Sequence, residues 1–289
     1  MTDQSTQCGT ASELQARGRD ATTENFPVGS WLLARRTRPD VLAFYRFARA
    51  ADDIADSIAL SPGQKTEALD RITAIFDGAT PVTAAERAAA EHMASLARTG
   101  VDVLHARQIL QAFRRDADNP RCRNWSDLML YCRYSAVPVG RFLIDLHGED
   151  QSAYPAADAL CTALQVLNHL QDCGSDLIDM DRIYLPLDWI EAEQAQIDDL
   201  RADALSPDLR RVLDRCLDRV DRLTAQAAPL PAQLGRSRLR YEAAVIVEIA
   251  TRLAQRLRRD DPLASRVALS KVERLGCLAR GILRAWRCR

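Results

Sequence analysis

The chain has 289 residues, of which 47% are hydrophobic and 27% are charged. This is enough apolar material for a substantial core, which excludes a disordered or collagen-like protein. The 39 basic and 40 acidic residues give a formal net charge of -1, so no overall field attracts nucleic acid or an anionic membrane. We therefore expect any anionic partner to be bound by a local cluster of residues.

The eight cysteines include neither a C-x-x-C pair nor a zinc-ligand spacing, which predicts reduced thiols in a cytoplasmic protein. The polar start of the chain contains no apolar stretch of signal-peptide length. Apolar runs such as 243–247 are far shorter than the roughly 20 residues of a membrane helix. We expect neither export nor a membrane span.

Apolar residues recur three and four positions apart through stretches rich in Ala, Leu, Arg, Glu and Gln, whereas strand-like alternation is scarce. This periodicity predicts an all-α fold. Turn-forming residues divide the chain into roughly eight or nine helices. They lie at 61–63, 77–81, 119–120, 148–155, 185–186, 206–207, 229–235 and 261–262. Because no break is long enough for a linker, we predict a loose tail over residues 1–20 and one domain over 21–289.

The first informative stretch is a helix predicted from Pro39 to Ser57. Its polar side chains follow one another at steps of four, three and four, and therefore share one helix face: Tyr45, Arg49, Asp52 and Asp56. Asp52 and Asp56 repel each other by a few tenths of a kcal/mol at this spacing, beside an aromatic-rich apolar face. A bound cation would remove that penalty.

A second polar ladder lies between Ala163 and Tyr184, along an otherwise apolar helix. Its members follow at steps of three, four and four: Gln165, Asn168, Asp172 and Asp176. Oxygen ligands without thiolates or an imidazole pair favour Mg²⁺ over zinc or iron. Because packed helices lie about 8–10 Å apart, opposed aspartates would hold a diphosphate through bridging ions. We predict that the two stretches form one site; the alternative is that each is a solvated helix face.

The C-terminal segment 265–289 is basic, with seven positive residues against one negative. Four apolar side chains lie between these charges: Leu275, Leu278, Ile282 and Trp286. Such a helix either lies on a membrane surface or packs its apolar stripe on the core. The sequence favours packing on the core.

The motifs resemble those of the squalene and phytoene synthases, enzymes that join or rearrange isoprenoid diphosphates. The resemblance extends from about Glu24 to Lys271 and rests on four stretches, at 24–28, 45–56, 131–141 and 168–186. It implies a single-domain isoprenoid-synthase helical bundle with a central apolar cavity. It also implies Mg²⁺ and diphosphate binding by the first and last aspartates of each acidic motif, which are Asp52, Asp56, Asp172 and Asp176.

Within the family, the stretches at 24–28, 135–140 and 168–173 resemble the hydroxysqualene synthase branch of the hopanoid pathway. Such enzymes convert presqualene diphosphate and water to hydroxysqualene and diphosphate. No NADPH is expected, and the sequence contains no G-x-G-x-x-G motif after a strand. Gln171 departs from the commoner pattern, in which an arginine precedes the aspartate. Our hypothesis is that this neutral amide suits an enzyme that binds one diphosphate instead of two.

The resemblance also suggests roles for residues outside the acidic motifs. Arg49 matches a diphosphate-contacting arginine, and three further positions resemble family positions that help bind diphosphate: Tyr241, Arg266 and Lys271. Aromatic faces that would stabilise a carbocation are those of Phe26, Tyr45 and Tyr131. The candidates for holding the quenching water are Gln165, Asn168 and Tyr131. The four scattered histidines are expected to be structural.

Three other interpretations stay open at this point. The first is a presqualene diphosphate or phytoene synthase that condenses two prenyl diphosphates. The second is a helical di-iron protein, although the Glu-x-x-His pairs of that design do not occur. The third is a non-catalytic helical interaction module. A prenyl diphosphate is the expected substrate and nucleic acid is not a partner, while peripheral membrane contact and functional association with other squalene-pathway enzymes are left open.

Overall fold

A computed structural model of the chain describes residues 34–118, 121–235 and 238–287. Within these ranges the chain forms thirteen α-helices and two short 3-10 helices. The β structure found there is one isolated parallel bridge, between Arg121 and Ile183. The predicted all-α fold is confirmed. The predicted tail, Phe26 and the break at 119–120 lie outside the described residues.

The helices follow one another with short connections. In chain order they are α1 (Arg38–Asp56), α2 (Pro62–Ile75), α3 (Ala84–Thr99), α4 (Leu104–Asp116), α5 (Trp125–Ser135), α6 (Val137–His147), α7 (Tyr154–Gln171), α8 (Cys173–Met180), α9 (Leu187–Ala192), α10 (Pro207–Ala227), α11 (Leu230–Gln233), α12 (Arg238–Leu257) and α13 (Lys271–Arg287). The 3-10 helices are Gln151–Ala153 and Ile197–Arg201.

The predicted eight or nine helices are too few. Proline and glycine mark most of the boundaries, as at Ser61, whose hydroxyl caps α2 before Pro62, and at Gly100, which ends α3 with φ 74°. Two boundaries were not among those predicted. Ala136 separates α5 from α6, which has Pro138 in its first turn, and Asp172 separates α7 from α8, which has Gly174 in its first turn.

Two hydrophobic cores hold the helices together. One contains the aromatic residues Phe44, Phe47 and Phe142, packed with α2, α3 and α4, and the rings of Phe44 and Phe142 stack at 4.3 Å. The other is formed mainly by α7, α10 and α12. α1, α6 and α7 contribute residues to the cores and also to the wall of the cavity described below.

The apolar stripe of α13 packs on the core only in part, and Leu278 is the stripe residue that packs against it. Leu275 is 67% exposed and Trp286 is 55% exposed, while Leu278 and Ile282 are half-buried. The face that contacts α12 instead carries the small buried residues Cys277, Gly281 and Ala285. A Cβ atom on Gly281 would lie 2.6 Å from the Cα atom of Val245. The two helices approach too closely for large side chains between them.

Across the described ranges, no helix is long and apolar enough to cross a bilayer. The six cysteines that lie there are all free thiols, and five of them are buried. Burial raises the pKa of Cys122 to about 12, so its thiol stays protonated at neutral pH. The five buried thiols are core residues, as expected, whereas Cys161 is half-buried.

Candidate active site

An apolar cavity of about 240 Å³ lies among α1, α5, α6, α7, α11 and α12. Aliphatic side chains such as Leu160, Leu164 and Ile246 form most of its wall. Both polar ladders reach it, since Tyr45 of the first and Gln165 and Asn168 of the second line the same space. The structure therefore brings together three of the predicted catalytic residues.

The aspartates of the first ladder lie beyond this cavity, toward the end of α1. Asp52 is seven residues after Tyr45, which is about 10 Å along the helix axis at 1.5 Å per residue. The side chains of Asp52 and Asp56 are 33% and 34% exposed. Arg49 donates to the Asp52 carboxylate at 2.9 Å and pairs with Asp53 at 2.6 Å. A polar end with reach to solvent thus adjoins the apolar cavity.

Negative charge is concentrated at this end of α1. Partial burial raises the pKa of Asp52 above its usual value, repulsion from Asp56 adds to the rise, and the Arg49 guanidinium opposes it. Smaller repulsions come from Asp116 and Asp53. Carboxyl groups that repel one another in this way mark a place where added positive charge would be stabilising.

The second ladder is not one continuous helix, contrary to the prediction. α7 ends at Asp172, whose φ of -109° and ψ of 10° interrupt the helix before α8 begins. The break brings α8 close to the 3-10 helix at 197–201, where a Cβ atom on Gly174 would lie 3.1 Å from the Leu200 carbonyl oxygen. The amide of Asp176 still donates to the Asp172 carbonyl at 2.7 Å, which keeps the two aspartates one turn apart.

Asp172 and Asp176 are buried, at 5% and 6% exposure. The Arg266 guanidinium donates to the Asp172 carboxylate at 3.1 Å, across 94 residues of sequence. The Nδ1 atom of His169 lies 3.8 Å from a carboxylate oxygen of Asp176. Arg266, one of the predicted diphosphate-binding residues, therefore lies directly at the second acidic stretch.

Arg182 connects the two acidic stretches. Its guanidinium donates to the Asp56 carboxylate at 2.6 Å, to the Ala55 carbonyl at 2.8 Å and to the Asp116 carbonyl at 3.0 Å. Both carbonyls belong to the last turns of helices, where main-chain oxygens have no partner within the helix and a cation is favoured. The segment that follows α8 is thus held against the ends of α1 and α4.

Asp116 forms the centre of a buried hydrogen-bond network beside Arg182. Its two carboxylate oxygens accept from the hydroxyls of Tyr131 and Tyr184, each at 2.8 Å. Burial raises the pKa of Asp116 to about 6, against the lowering effect of the Arg182 guanidinium. The Tyr184 ring stacks on His169 with 3.8 Å between centroids. This network continues to Asp176 through His169, so both acidic stretches border it.

Sequence reasoning missed the residues that join the two stretches. His169 was expected to be structural, yet it lies between Gln165, whose side-chain nitrogen is 3.2 Å from its Nε2 atom, and Asp176. Arg182 and Tyr184 carried a signal, since they directly follow the second acidic motif. Asp116 carried none. Lys65, one of only two lysines in the chain, is buried near Arg182 and Asp56, and burial lowers its pKa.

Gln171 is neither a surface amide nor directed at solvent. It is 3% exposed, and its side-chain amide donates to the Val267 carbonyl. The side chain therefore ties the end of α7 to the segment that carries Arg266. An arginine at this position would have to place its guanidinium in the same buried space. The link between Gln171 and the number of bound diphosphates stays a prediction.

The other predicted residues lie in different surroundings. Tyr131 is 4% exposed and is directed to Asp116, and it is not among the residues that line the cavity. Tyr241 directly precedes Glu242, a buried carboxylic acid in the cavity wall. Lys271 is exposed at the start of α13.

The four aspartates suit a magnesium ion that binds together with a ligand. Within the described ranges, no group of three or more His, Cys, Asp or Glu side chains is close enough to hold a metal ion on its own. Mg²⁺ is usually bound by one or two carboxylates, with waters and substrate phosphates completing its coordination. Carboxylate oxygens that could bind a metal ion lie on both sides of Arg182, and negative charge is concentrated around Asp52. Both features fit this mode of binding.

The relatives that are 41–42% identical in sequence are named hydroxysqualene synthases. The chain is 42% identical to a hydroxysqualene synthase from Sinorhizobium fredii over 253 residues, covering 87% of this chain and 85% of that protein. It is also 42% identical to a hydroxysqualene synthase from Rhodopseudomonas palustris, covering 91% and 89% of the two chains. A phytoene synthase from Thermus thermophilus is 30% identical and covers 67% of this chain and 65% of that protein.

Solved structures with the same fold agree with these relatives. Squalene synthase HpnC from Alicyclobacillus acidocaldarius superposes with a TM-score of 0.70 at 30% identity, covering 80% of this chain and 87% of that one. A dehydrosqualene synthase superposes with a TM-score of 0.73 at 21% identity, covering 89% and 90%. The family profile described as Squalene/phytoene synthase matches residues 20–273. The chain belongs to the squalene/phytoene synthase family.

Proposed function

We propose that the protein is a hydroxysqualene synthase, which converts presqualene diphosphate and water to hydroxysqualene and diphosphate. The observation that carries this proposal is the convergence of Tyr45, Gln165 and Asn168 on one apolar cavity, with Asp52 and Asp172 each four residues after a residue that lines it, Ala48 and Asn168. An apolar space beside a charged end suits a long isoprenoid with a diphosphate at one end. The name shared by the relatives at 41–42% identity supports the same reaction.

The acidic end would bind the diphosphate through Asp52, Asp56, Asp172 and Asp176. Magnesium bound to these carboxylates supplies positive charge that stabilises the departing diphosphate. Arg49 and Arg266 lie beside the aspartates and carry guanidinium groups that match phosphate oxygens in geometry. Arg182 would hold the two stretches at the spacing that a single diphosphate needs.

The cavity would control the cation that forms when the carbon–oxygen bond to diphosphate breaks. Its aliphatic wall excludes bulk water, so the rearranging cation is not quenched at random. The ring of Tyr45 offers an aromatic face in that wall. Gln165 and Asn168 offer neutral hydrogen-bonding groups that would hold one water for attack. The water oxygen forms the new bond to carbon, and the water releases a proton.

The protein is expected to work in the cytoplasm. The free thiols at the six described cysteines suit a reducing compartment. The reaction described here consumes no reductant, so no NADPH is required.

Product analysis with purified protein tests this proposal. Incubation with presqualene diphosphate and Mg²⁺, without nicotinamide, should yield hydroxysqualene, and ¹⁸O-labelled water should place the label in the product hydroxyl. Farnesyl diphosphate alone should give no product. Condensation of farnesyl or geranylgeranyl diphosphate in the absence of presqualene diphosphate would contradict the proposal and favour a presqualene diphosphate or phytoene synthase.

A further inference from the structure

The wall of the apolar cavity contains one carboxylic acid among the residues that the structure describes. Glu242 is 4% exposed and lies on α12, on the helix face that lines the cavity. The other wall residues of that face are Leu239, Ala243 and Ile246, which follow at helical spacing. Binding cavities place a few polar groups among apolar side chains where the ligand needs them, so an acid in the middle of this face indicates a role in the chemistry of the cavity.

Glu242 is distinct from the acids at the diphosphate end. The predicted magnesium ligands lie on α1 and at α7 and α8, whereas α12 carries none of them. α12 packs directly on α7, the helix that places Gln165 and Asn168 in the same cavity wall. The acid therefore borders, from a neighbouring helix, the space in which the two amides would hold a water molecule.

The proposed reaction releases a proton inside this cavity. When a water oxygen bonds to the carbocation, one of the two protons of that water must leave. The other wall side chains with oxygen or nitrogen atoms are Tyr45, Ser135, Gln165 and Asn168. Hydroxyls and amides orient water through hydrogen bonds but do not take up a proton at neutral pH, whereas a carboxylate does. Within the described wall, Glu242 is thus the side chain suited to accept the proton.

Ser135 gives a second indication that this wall contacts a polar atom of a ligand. It is the last residue of α5 and also lines the cavity, yet its Oγ atom is buried and has no hydrogen-bond partner in the described parts of the chain. Buried hydroxyls nearly always form a hydrogen bond. A water molecule bound for attack on the cation would supply the partner of the Ser135 hydroxyl.

We propose that Glu242 is the general base that accepts the proton of the quenching water, with the Ser135 hydroxyl as a positioning group for that water. A lone pair of the water oxygen forms the bond to the cationic carbon, one O–H bond breaks, and its electron pair stays on the oxygen. The proton moves to the Glu242 carboxylate, which becomes a neutral acid and returns the proton to solvent when the product leaves. Positive charge on the carbon favours the carboxylate form of a nearby acid. This inference rests on the proposed function.

Glu242→Gln tests the role of the acid, because glutamine keeps the size and the hydrogen bonding of the side chain but cannot accept the proton. The protein is incubated with presqualene diphosphate and Mg²⁺. Released diphosphate measures ionisation, and hydroxysqualene measures water capture. We expect diphosphate release to fall less than threefold, whereas the ratio of hydroxysqualene to released diphosphate falls at least tenfold. Without a base, the protonated alcohol loses its water again and the cation forms hydrocarbons by losing a proton from carbon.

Two further variants accompany this measurement. Glu242→Asp keeps an acid but withdraws it by one methylene group, so its product ratio should lie between those of the wild-type protein and Glu242→Gln. Ser135→Ala should lower the ratio by about threefold to tenfold, the effect of one hydrogen bond. The matched control is Glu248→Gln, since Glu248 lies on the same helix but pairs with Arg280 and Arg284 outside the cavity. Its product ratio should equal that of the wild-type protein.

The possible results separate this inference from the proposed function. If the wild-type protein forms no hydroxysqualene from presqualene diphosphate, the proposed function is wrong and the inference is wrong with it. If the wild-type protein forms hydroxysqualene and Glu242→Gln keeps the same product ratio, the inference alone is wrong and the departing diphosphate takes the proton. Equal losses of diphosphate release and hydroxysqualene in Glu242→Gln would assign Glu242 a structural role and also overturn the inference. A wild-type ratio in Glu242→Asp would overturn it even where Glu242→Gln does not fold.

Discussion

The Arg182 guanidinium donates a 2.6 Å hydrogen bond to the carboxylate of Asp56. Asp56 is the last residue of α1, and Arg182 follows α8, so this contact fixes the two acidic stretches to each other. Arg182 is 4% exposed and also bonds to the carbonyls of Ala55 and Asp116. Arg182 thus links the two stretches directly, beside the network of Asp116, Tyr184 and His169.

Arg182→Lys should impair both stability and activity. Lysine keeps the charge, but its single ammonium group does not reproduce a planar fork that reaches three acceptors. We expect the free energy of unfolding to fall by about 2 kcal/mol, because two buried carbonyls lose a charged donor. kcat/KM should fall at least tenfold.

Arg107→Lys is the control for this substitution, since Arg107 pairs with the exposed Asp77. Exposed ion pairs contribute about 1 kcal/mol or less, so this variant should retain its activity and most of its stability. Urea unfolding and steady-state kinetics measure the two effects. Equal behaviour of the two variants would contradict the role given to Arg182.

Tyr131→Phe and Tyr184→Phe should each destabilise the protein by about 1–2 kcal/mol. Each substitution removes one of the two hydroxyls that donate to Asp116, and leaves a buried carboxylate oxygen without that donor. In an Asp116→Asn background the same two substitutions should lower the free energy of unfolding by less, because the carboxylate that both hydroxyls share as acceptor has been replaced. Denaturant unfolding of the double-mutant cycle measures this coupling. Fully additive losses would show that the three residues act independently.

Ala243 and Ala244 give a matched pair for testing the cavity. Ala243 lines the cavity, whereas Ala244 is fully buried in the packed core of the same helix. Ala243→Leu should occupy cavity volume, retain stability and raise the KM for a long-chain diphosphate. Ala244→Leu should lower the free energy of unfolding by about 1–3 kcal/mol through overpacking. Thermal unfolding and kinetics on both variants measure the difference, and the reverse result would place the substrate elsewhere.

His92 should make stability depend on pH. It is 0% exposed among Phe44, Phe47 and Phe142, and burial lowers its pKa to about 4, with a small opposing effect of Asp40. In the unfolded chain His92 binds a proton near pH 6.5, whereas in the folded protein it does not. The contribution of neutral His92 to the free energy of unfolding is therefore complete above that pH and is lost as pH falls toward 4. The loss over this range is at most about 3 kcal/mol.

His92→Phe provides the comparison for this pH effect. Urea unfolding from pH 7.5 to 4.5 should show a shallower decline in stability for the variant than for the wild-type protein, since the buried titrating group is gone. Parallel pH profiles of the two proteins would show that His92 does not cause the decline.

The helical parts of the site could be predicted because their information is local. The spacing of Tyr45, Arg49 and Asp52 fixes a shared face as soon as α1 forms. The break at Asp172 was not predicted, and it is accompanied by a close approach of Gly174 to Leu200, which is distant in sequence. Periodicity describes one helix and carries no information about the neighbour that interrupts it.

The role of Asp116 at the centre of the hydrogen-bond network could not be predicted from the sequence either. Asp116 is one acidic residue at the end of an ordinary amphipathic helix, and its partners Tyr131 and Tyr184 are 15 and 68 residues away. For α13 the pattern predicted an apolar stripe packed on the core, whereas Leu278 packs on the core but Leu275 and Trp286 are exposed. Small residues such as Gly281 produced the closer packing, which left the large residues outside.

The most direct test of the account measures inorganic diphosphate binding by calorimetry in the presence of Mg²⁺. The variants are Asp52→Asn, Asp176→Asn and the double variant, with Asp179→Asn as the control because Asp179 is exposed in the same helix. If the two stretches form one site, each single variant should lose most of the affinity, the double variant little more, and the control none. Unchanged binding in either single variant, or two separate binding events removed one by one, would contradict a shared site.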